Sequence, residues 1–361
     1  GSEMCIRDSG SQAILFQNRR GFSPYVECGH CGWTANCPDC NVSLTYHKSD
    51  GSLRCHYCGY RIPVPAVCPS CGTGSLLPRG FGTEKIEQEL AAIFHALKEK
   101  GYLHSPREVT FEANPGTVDE AYLRGLRALG VDRLSLGIQS LEDSELRLMG
   151  RTHTADEARH IILLSKKVGF TRLSCDLIYG YPTQTAASVE ASLTELMALG
   201  PSHISIYGLS VEPGTVLSHN LRQGRWILPT DDETGNMYDL IMDRLVKGGY
   251  ERYEISNFAK AGDKSRHNLV YWHYNPYLAF GAGATRFDGR TRENNPAYLA
   301  AYERGEAPEI ECLSPAVQRE EMIFMNLRTV RGLSLLDYEA RFGRSFAFDY
   351  GPQIELSLIH I

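Results

Sequence analysis

REVTFEANPGTVDEAYLRGLRALGVDRLSLGIQS, residues 107–140, decides the fold class. REVTFEAN has the apolar and β-branched density of a buried strand. VDEAYLRGLRALG then places Tyr122, Leu123, Leu126 and Leu129 near one helical face. DRLSLGIQS is a second strand. The alternation continues downstream with TADEARHIILLSKKVG as a helix, FTRLSCDLIYG as a strand and SVEASLTELMALG as a helix. HISIYGLSV follows as a fourth strand, and a further helix covers Asp232–Gly248. Strands alternating with helices at this spacing predict an α/β fold on a parallel sheet, closed or open. In either form, polar residues at strand carboxyl ends are the default site positions. Glu112, Gln139 and Asp176 fall at or near such ends.

The chain has 361 residues, enough for two or three domains. It is 42% hydrophobic and 22% charged, an ordinary globular composition. A net charge of -6 argues against a general polyanion binder. No run approaches the ~20 apolar residues of a membrane span, and no basic-then-apolar segment opens the chain. The default expectation is cytoplasmic, with no membrane partner.

Eight of the eleven cysteines lie between Cys28 and Cys71, in four CxxC pairs. They are Cys28 and Cys31, Cys37 and Cys40, Cys55 and Cys58, Cys68 and Cys71. A two-residue spacing lets both sulfurs of a tight turn face one metal, and two such turns complete a tetrahedral thiolate site. Gly32, Gly59 and Gly72 follow a second cysteine, as Asn41 does in the remaining pair. These residue types tolerate the left-handed backbone that closes such a turn. Eight ligands predict two closed, structural zinc sites. A redox CxxC is the alternative, which four consecutive pairs fit poorly. His30, His47 and His56 are surplus to saturated sites and read as surface residues. Cys175 alternates with buried strand residues and reads as core.

QAILFQNRRGF (residues 12–22), the four CxxC pairs and RGFGTEKIEQEL (residues 79–90) resemble the zinc-binding region of the replication-restart helicase family, PriA. The resemblance implies contact with DNA and partner proteins. It also implies a nested arrangement, with Cys28, Cys31, Cys68 and Cys71 on one zinc and the inner pairs on the other. Spacing alone leaves the pairing open. No G-x-x-x-x-G-K-[ST] phosphate loop occurs, so helicase activity is not expected. Arg19 and Arg20 then read as surface charges.

EANPGT, RLSLGIQS, MGRTHT, CDLIYGYPTQT, ISIYGLSVEPGT, YEISNFAK and HNLVYW resemble the oxygen-independent coproporphyrinogen III oxidase-like radical-SAM proteins. HNLVYW is similar to their haem-chaperone branch, HemW. The resemblance implies a radical-SAM (β/α) barrel and a C-terminal α+β domain. It implies that Glu112, Gln139, Arg151 and Asp176 contact S-adenosylmethionine. Carboxylates suit that ligand's ammonium and ribose hydroxyls, and arginine suits its carboxylate. His267 is the implied haem contact, since imidazole is a common axial ligand. Each has a structural alternative. The strand-end residues could be loop caps, Arg151 a surface ion-pair partner, and His267 a packing histidine beside Tyr271 and Trp272. GAGAT (residues 281–285) reads as a tight turn, with Thr285 where the family usually has histidine.

The family holds its iron-sulfur cluster with C-x-x-x-C-x-x-C, and no such run is present. No cluster is therefore expected, and the protein is expected to be inactive as written. MCIRDS (residues 4–9) and LSLIHI (residues 356–361) are compatible with one DNA element translated from opposite strands, and resemble a transposon end used in library preparation. The expected organisation is a tag over 1–11, a helicase-like strand and two-zinc module over 12–94, and a seam over 95–105. A partial parallel barrel follows over 106–248, then a truncated C-terminal domain over 249–355 and a tag over 356–361. The barrel is expected to be open where its first two strands belong. The functional expectation is a HemW-like protein joined to a PriA-like zinc module. The alternatives are a DNA-associated zinc module or a natural fusion with both binding roles.

Overall fold

The computed structural model describes residues 2–6, 12–17, 25–38, 43–47, 51–55, 60–79, 83–102, 107–213 and 215–359. The four predicted strands form as Glu108–Ala113, Arg133–Gln139, Arg172–Tyr179 and His203–Gly208. They are neighbours in that order and all parallel. The intervening helices include Glu120–Leu129, Ala155–Val168 and Ala186–Leu199, with Asp231–Lys247 after the fourth strand. Asp119 accepts the Tyr122 backbone N–H at 2.8 Å, and Thr154, Thr185 and Thr230 close capping boxes on the other three. These side chains take first-turn N–H groups that have no intrahelical partner. Tyr122, Leu123 and Leu126 are buried, and Leu129 packs against the same core. Leu134, Leu136, Leu193, Ile204 and Phe258 complete it from the sheet and the next helices.

The edge beside Glu108–Ala113 is occupied, which corrects the expected opening. Gln12–Gln17 lies parallel to Glu108–Ala113, with Ala13 opposite Val109 and Leu15 opposite Phe111. Ser2–Ile6, read above as tag sequence, pairs antiparallel with Gln12–Gln17 and with Leu278–Phe280. An unpaired strand edge offers a row of free N–H and C=O groups, and an apolar segment such as QAILFQ satisfies them. Antiparallel Asn257–Ala259 and Glu251–Arg252 extend the other side, giving nine strands. The helix Thr83–Glu99 runs into the first five residues of the expected seam, and its Leu90, Phe94 and Leu97 enter the main core.

Beyond the sheet, Thr285–Phe287, Thr291–Asn294 and Glu309–Cys312 form an antiparallel trio. Helices Pro315–Leu327, Leu335–Phe342 and Phe346–Ile359 accompany it. Tyr274, Phe287, Leu313, Met322 and Tyr338 form a separate small core there. This matches the expected α+β character. In the cysteine segment, Tyr25–Cys28 pairs with Leu76–Arg79, and Thr45–His47, Ser52–Arg54 and Arg61–Pro63 form a second small sheet.

The amino ends of the parallel strands are closed by charge. Arg133 is 1% exposed and donates from Nε to Glu108 Oε2 at 3.0 Å. Its Nη2 donates to the carbonyl of Asp263 at 2.9 Å. Glu108 Oε1 accepts the backbone N–H groups of Arg266 and His267, at 3.0 and 3.2 Å. One carboxylate thus joins two strands to the Arg266–Trp272 helix. Removing one partner of such a pair strands the other charge in the interior. Glu108→Ala is expected to destabilise the fold by about 3–5 kcal/mol, and adding Arg133→Met should recover much of that. Urea unfolding of the two variants checks it; equal losses in both would show that the stranded charge is not the cause.

Candidate functional site

Two sites follow from local backbone geometry. In the cysteine segment, Gly32 N–H reaches the Cys28 carbonyl at 2.9 Å and Gly72 N–H reaches the Cys68 carbonyl at 2.8 Å. Both glycines have φ of 73°, the left-handed value the sequence required. The two turns bring Cys28, Cys31, Cys68 and Cys71 together, with all four sulfurs within 4.8 Å of one another. Cys28 Sγ lies 3.6 Å from Cys71 Sγ, and Cys31 Sγ lies 3.7 Å from Cys68 Sγ. This is the outer quartet of the nested arrangement, and its chemistry suits tetrahedral zinc. The Thr73 hydroxyl contacts both Cys28 Sγ (3.5 Å) and Cys71 Sγ (3.2 Å). That hydroxyl, helped by the Cys31 backbone N–H, draws the Cys28 thiol down to about 6. It also lowers Cys71, so these two lean toward the thiolate form that binds metal, whereas Cys31, against its Trp33 backbone hydrogen bond, is pushed up to about 11 by burial and the neighbouring sulfurs of Cys71, Cys68 and Cys28. Of the inner quartet, Cys37 and Cys55 are buried in one small core, while Cys40 and Cys58 lie outside the described residues.

The second site lies at the carboxyl ends of the parallel strands. Arg133–Gln139 and Arg172–Tyr179 lose register between Cys175 and Leu177, where Gly137 and Ile138 oppose the single residue Asp176. Such a bulge re-aims side chains at a strand end. Gln139 follows with φ of 69°, a conformation costing on the order of 1–3 kcal/mol for a side-chain-bearing residue. A Cβ at Gly137 would meet Asn114 Oδ1 and Gln139 Nε2 at 2.9 Å each, so a side chain there would push both polar groups aside. Arg151 Nη1 donates to the same Asn114 Oδ1 at 2.9 Å. Asn114, Gly137, Gln139 and Arg151 therefore form one wall.

Asp176 faces Ser205 across the next strand pair. Its Oδ1 is cut off from solvent and has no hydrogen-bond partner. Burial raises its carboxyl to about 6, against the Ser205 hydroxyl and the Arg151 charge, which both hold it down. Glu112 enters through Tyr207, whose phenol is pushed well up by desolvation and then by Asp176, Glu112 and Glu254. Four of the five predicted cofactor residues thus gather at one end of the sheet. Asn114, Gly137 and Tyr207 join them. Asn114 and Gly137 stood inside recognised motifs, EANP and LGIQ, but nothing in their spacing marked them.

His267 is elsewhere. Its backbone rests on Glu108, at the amino end of the strands. The ring is 7% exposed and meets Tyr271 edge-on with centroids 4.8 Å apart. Burial lowers its pKa to about 3, so the imidazole is neutral, the form that ligates metal. Cys175 is fully buried, as read. Gly281 and Gly283 take φ of 109° and 76°, which makes GAGAT the expected tight turn. No helix of the described residues is long and apolar enough to cross a membrane.

Comparison with known proteins agrees with this division. The Radical SAM superfamily model matches residues 80–196, and the HemN C-terminal domain model matches residues 313–358. The PriA DNA helicase Cys-rich region (CRR) domain model matches residues 37–63. A heme chaperone HemW from Lactococcus lactis is 36% identical over 281 residues, covering 76% of this chain and 74% of that protein. The chain belongs to the HemW family. The HemW of Bacillus subtilis is 34% identical over 278 residues, covering 75% of this chain and 73% of its own length. The solved coproporphyrinogen III oxidase (HemN) of Escherichia coli, described as a radical SAM enzyme, shares the fold at a TM-score of 0.61 and 20% identity. That match covers 75% of this chain and 66% of the oxidase. The radical-SAM match begins upstream of the expected seam, in keeping with the burial of Leu90, Phe94 and Leu97 in the sheet's core.

Two outcomes follow for this HemW-family chain. The folded value of Asp176 lies above the usual ~4, so its contribution is present below about pH 4 and is lost as pH rises toward 6. Asp176→Asn is therefore expected to stabilise the ligand-free protein on the order of 1–2 kcal/mol at pH 7.5 and not at pH 3.5. Urea unfolding at the two pH values checks this, and an equal offset at both would refute it.

The second outcome concerns metal. Cys28→Ser with Cys71→Ser should remove one equivalent of zinc per chain and expose Tyr25–Arg79 to protease, because structural zinc contributes roughly 10 kcal/mol to such folds. Zinc content unchanged from the parent would dismiss the quartet as a metal site.

Proposed function

We propose that this HemW-family chain is a haem-chaperone-type protein that binds S-adenosylmethionine at the strand carboxyl ends through Glu112, Gln139, Arg151 and Asp176. The observation that carries the reading is the under-solvated carboxylate of Asp176 beside the Arg151 wall. S-adenosylmethionine presents an ammonium, a sulfonium, a carboxylate and ribose hydroxyls. A carboxylate with an unsatisfied buried oxygen gains most from a cation or hydroxyl donor. The Arg151 guanidinium suits the ligand's carboxylate, and the Gly137 gap lets Asn114 and Gln139 close over one edge. When bound beside a reducing cluster, this ligand supplies a carbon-centred radical. The residues named here bind and orient it.

The cysteines present do not fit the family's cluster. The described quartet is a closed four-thiolate set with no vacant position, Cys175 is fully buried, and no C-x-x-x-C-x-x-C run occurs in the sequence. The reading is therefore ligand binding without radical chemistry. Zinc is assigned to both cysteine quartets, the inner one comprising Cys37, Cys40, Cys55 and Cys58. The match of residues 37–63 to the PriA Cys-rich model supports a second, DNA-associated role for this segment, as a fusion.

Haem is assigned to His267, on the strength of its neutral imidazole and aromatic neighbour Tyr271. The buried position favours weak binding, since a porphyrin face would have to displace packed side chains.

Calorimetric titration with S-adenosylmethionine tests the main reading. Saturable binding is expected, weakened tenfold or more, about 1.4 kcal/mol, by Arg151→Ala and by Gly137→Ala. Absence of binding by the parent, or full affinity in both variants, would overturn it.

A further inference from the structure

We propose that Glu145 is a positioning residue that holds Gln139 and Arg151 in place for the ligand. The inference rests on the S-adenosylmethionine reading above and deepens it. Glu145 touches neither residue's side chain. It sits on the short helix Asp143–Leu148, and that helix joins the two. Gln139 precedes it by the turn Ser140–Glu142. Arg151 follows it by a left-handed turn at Gly150, where the Arg151 N–H returns to the Leu146 carbonyl at 2.8 Å. A tilt of this helix therefore moves both ligand-facing groups at once.

The helix is fixed by a carboxylate that is only 4% exposed. Glu145 Oε2 accepts from Ser140 Oγ at 2.7 Å and from Gln184 Nε2 at 2.8 Å. Glu145 Oε1 accepts from Ser188 Oγ at 2.9 Å. The three donors come from three places: the turn after Gln139, the loop after the Arg172–Tyr179 strand, and the first turn of the next helix. Gln184 has no freedom to look elsewhere, because its Oε1 accepts the Tyr181 N–H at 2.8 Å and its Nε2 also reaches the Ile178 carbonyl at 3.0 Å. Tyr181 then donates its hydroxyl to the Leu148 carbonyl at 2.9 Å, clamping the far end of the helix. Gln139 needs such a clamp, because its own backbone conformation is unfavourable and relaxes unless the surroundings hold it.

The chemistry distinguishes two substitutions. Glu145→Ala leaves the Ser140 hydroxyl and one of the two Gln184 amide N–H groups buried without an acceptor, the other keeping the Ile178 carbonyl. Glu145→Gln keeps an acceptor at the Oε2 position for both, and turns its amide toward Ser188, whose hydroxyl can accept. Positioning therefore predicts loss in the first variant and rescue in the second. Leu245→Ala, in the apolar core on the Asp231–Lys247 helix and apart from the residues around Glu145, supplies a destabilised protein that leaves the network's own members in place.

Binding of S-adenosylmethionine is measured by calorimetry where all three variants are folded, and amide exchange is followed over residues 139–151 without ligand. Glu145→Ala is expected to weaken binding tenfold or more and to speed exchange in that segment. Glu145→Gln should stay within threefold of the parent, and Leu245→Ala within twofold. Parent-like binding by Glu145→Ala, or an equal loss in Leu245→Ala, would overturn the proposal. So would unchanged exchange, whether or not the ligand binds. A parent that takes no S-adenosylmethionine while Glu145→Ala loosens the segment refutes the binding reading, and with it this residue's role toward a ligand.

Discussion

Glu108 is the interaction on which the sheet's two-ended character depends. Its carboxylate accepts from the Arg133 guanidinium and from two backbone N–H groups at the start of the Arg266–Trp272 helix. Arg172 stands behind it at 3.9 Å, and Arg172 also pairs with Asp132 at 3.1 Å. Charge of both signs is thus used up at the amino ends of the parallel strands. Nearby, His203 is held neutral, its pKa lowered to about 3 by burial and then by the Arg133 charge. Its two ring nitrogens meet Ser174 Oγ at 2.7 Å and the Tyr253 hydroxyl at 2.8 Å. A buried polar network costs least when its members are satisfied, and here both Glu108 oxygens and both His203 nitrogens are met while Arg133 Nη1 is left without a partner, so little acceptor capacity remains for a ligand. The carboxyl ends are built the opposite way, with a strained Gln139, a side-chain gap at Gly137 and an orphaned oxygen on Asp176.

The strand and helix order was legible because each segment from Glu108 to Lys247 agrees with itself at every level. Tyr122, Leu123 and Leu126 fall on one helical face, and Asp119 and Thr154 stand where a helix start needs an acceptor. The zinc turns were equally legible, because Gly32 and Gly72 are local requirements of a CxxC turn. Pairings across the chain were less so. QAILFQ reads as a strand, but nothing local says that its neighbour is Glu108–Ala113, since register and partner are settled by whichever edge is free. Asn114, Glu145 and Gln184 escaped notice for a related reason. Each matters through partners that no local period reveals: Arg151 for Asn114, Ser140, Gln184 and Ser188 for Glu145, and Glu145 for Gln184. His267 shows the converse. Its motif was plain in the sequence, but only the fold puts it at the end of the sheet opposite Asp176.

The two sites also differ in what their ligand sets leave open. Four sulfurs within 4.8 Å of one another saturate a tetrahedral ion, so the quartet of Cys28, Cys31, Cys68 and Cys71 suits a structural metal and offers no position for chemistry. Its contribution is to order a segment whose own core is small, built around Val26, Ala35, Leu44 and Leu53. Small segments of this kind need such a staple because they bury too little apolar surface to offset chain entropy. The strand-end site inverts this. Its scaffold carries a large apolar core of its own, and its polar groups are incompletely satisfied.

Counting donors on the acids gives a physical rule for telling scaffold from site in this protein. Glu108 and Glu145 are both buried, and sequence alone would rank either as a candidate ligand. Each of their four oxygens has a named donor, so neither has a strong reason to release one for a bound molecule. Asp176 differs in kind. It has a serine on one side, a partial share of the Arg151 field and one oxygen with nothing. Desolvation without full compensation is unfavourable in the empty protein, and a donor brought by a ligand recovers that free energy only on binding. Burial of the residue alone therefore does not set the proposed ligand-facing carboxylate apart. A buried oxygen without a hydrogen-bond partner does, and among these three acids it belongs to Asp176.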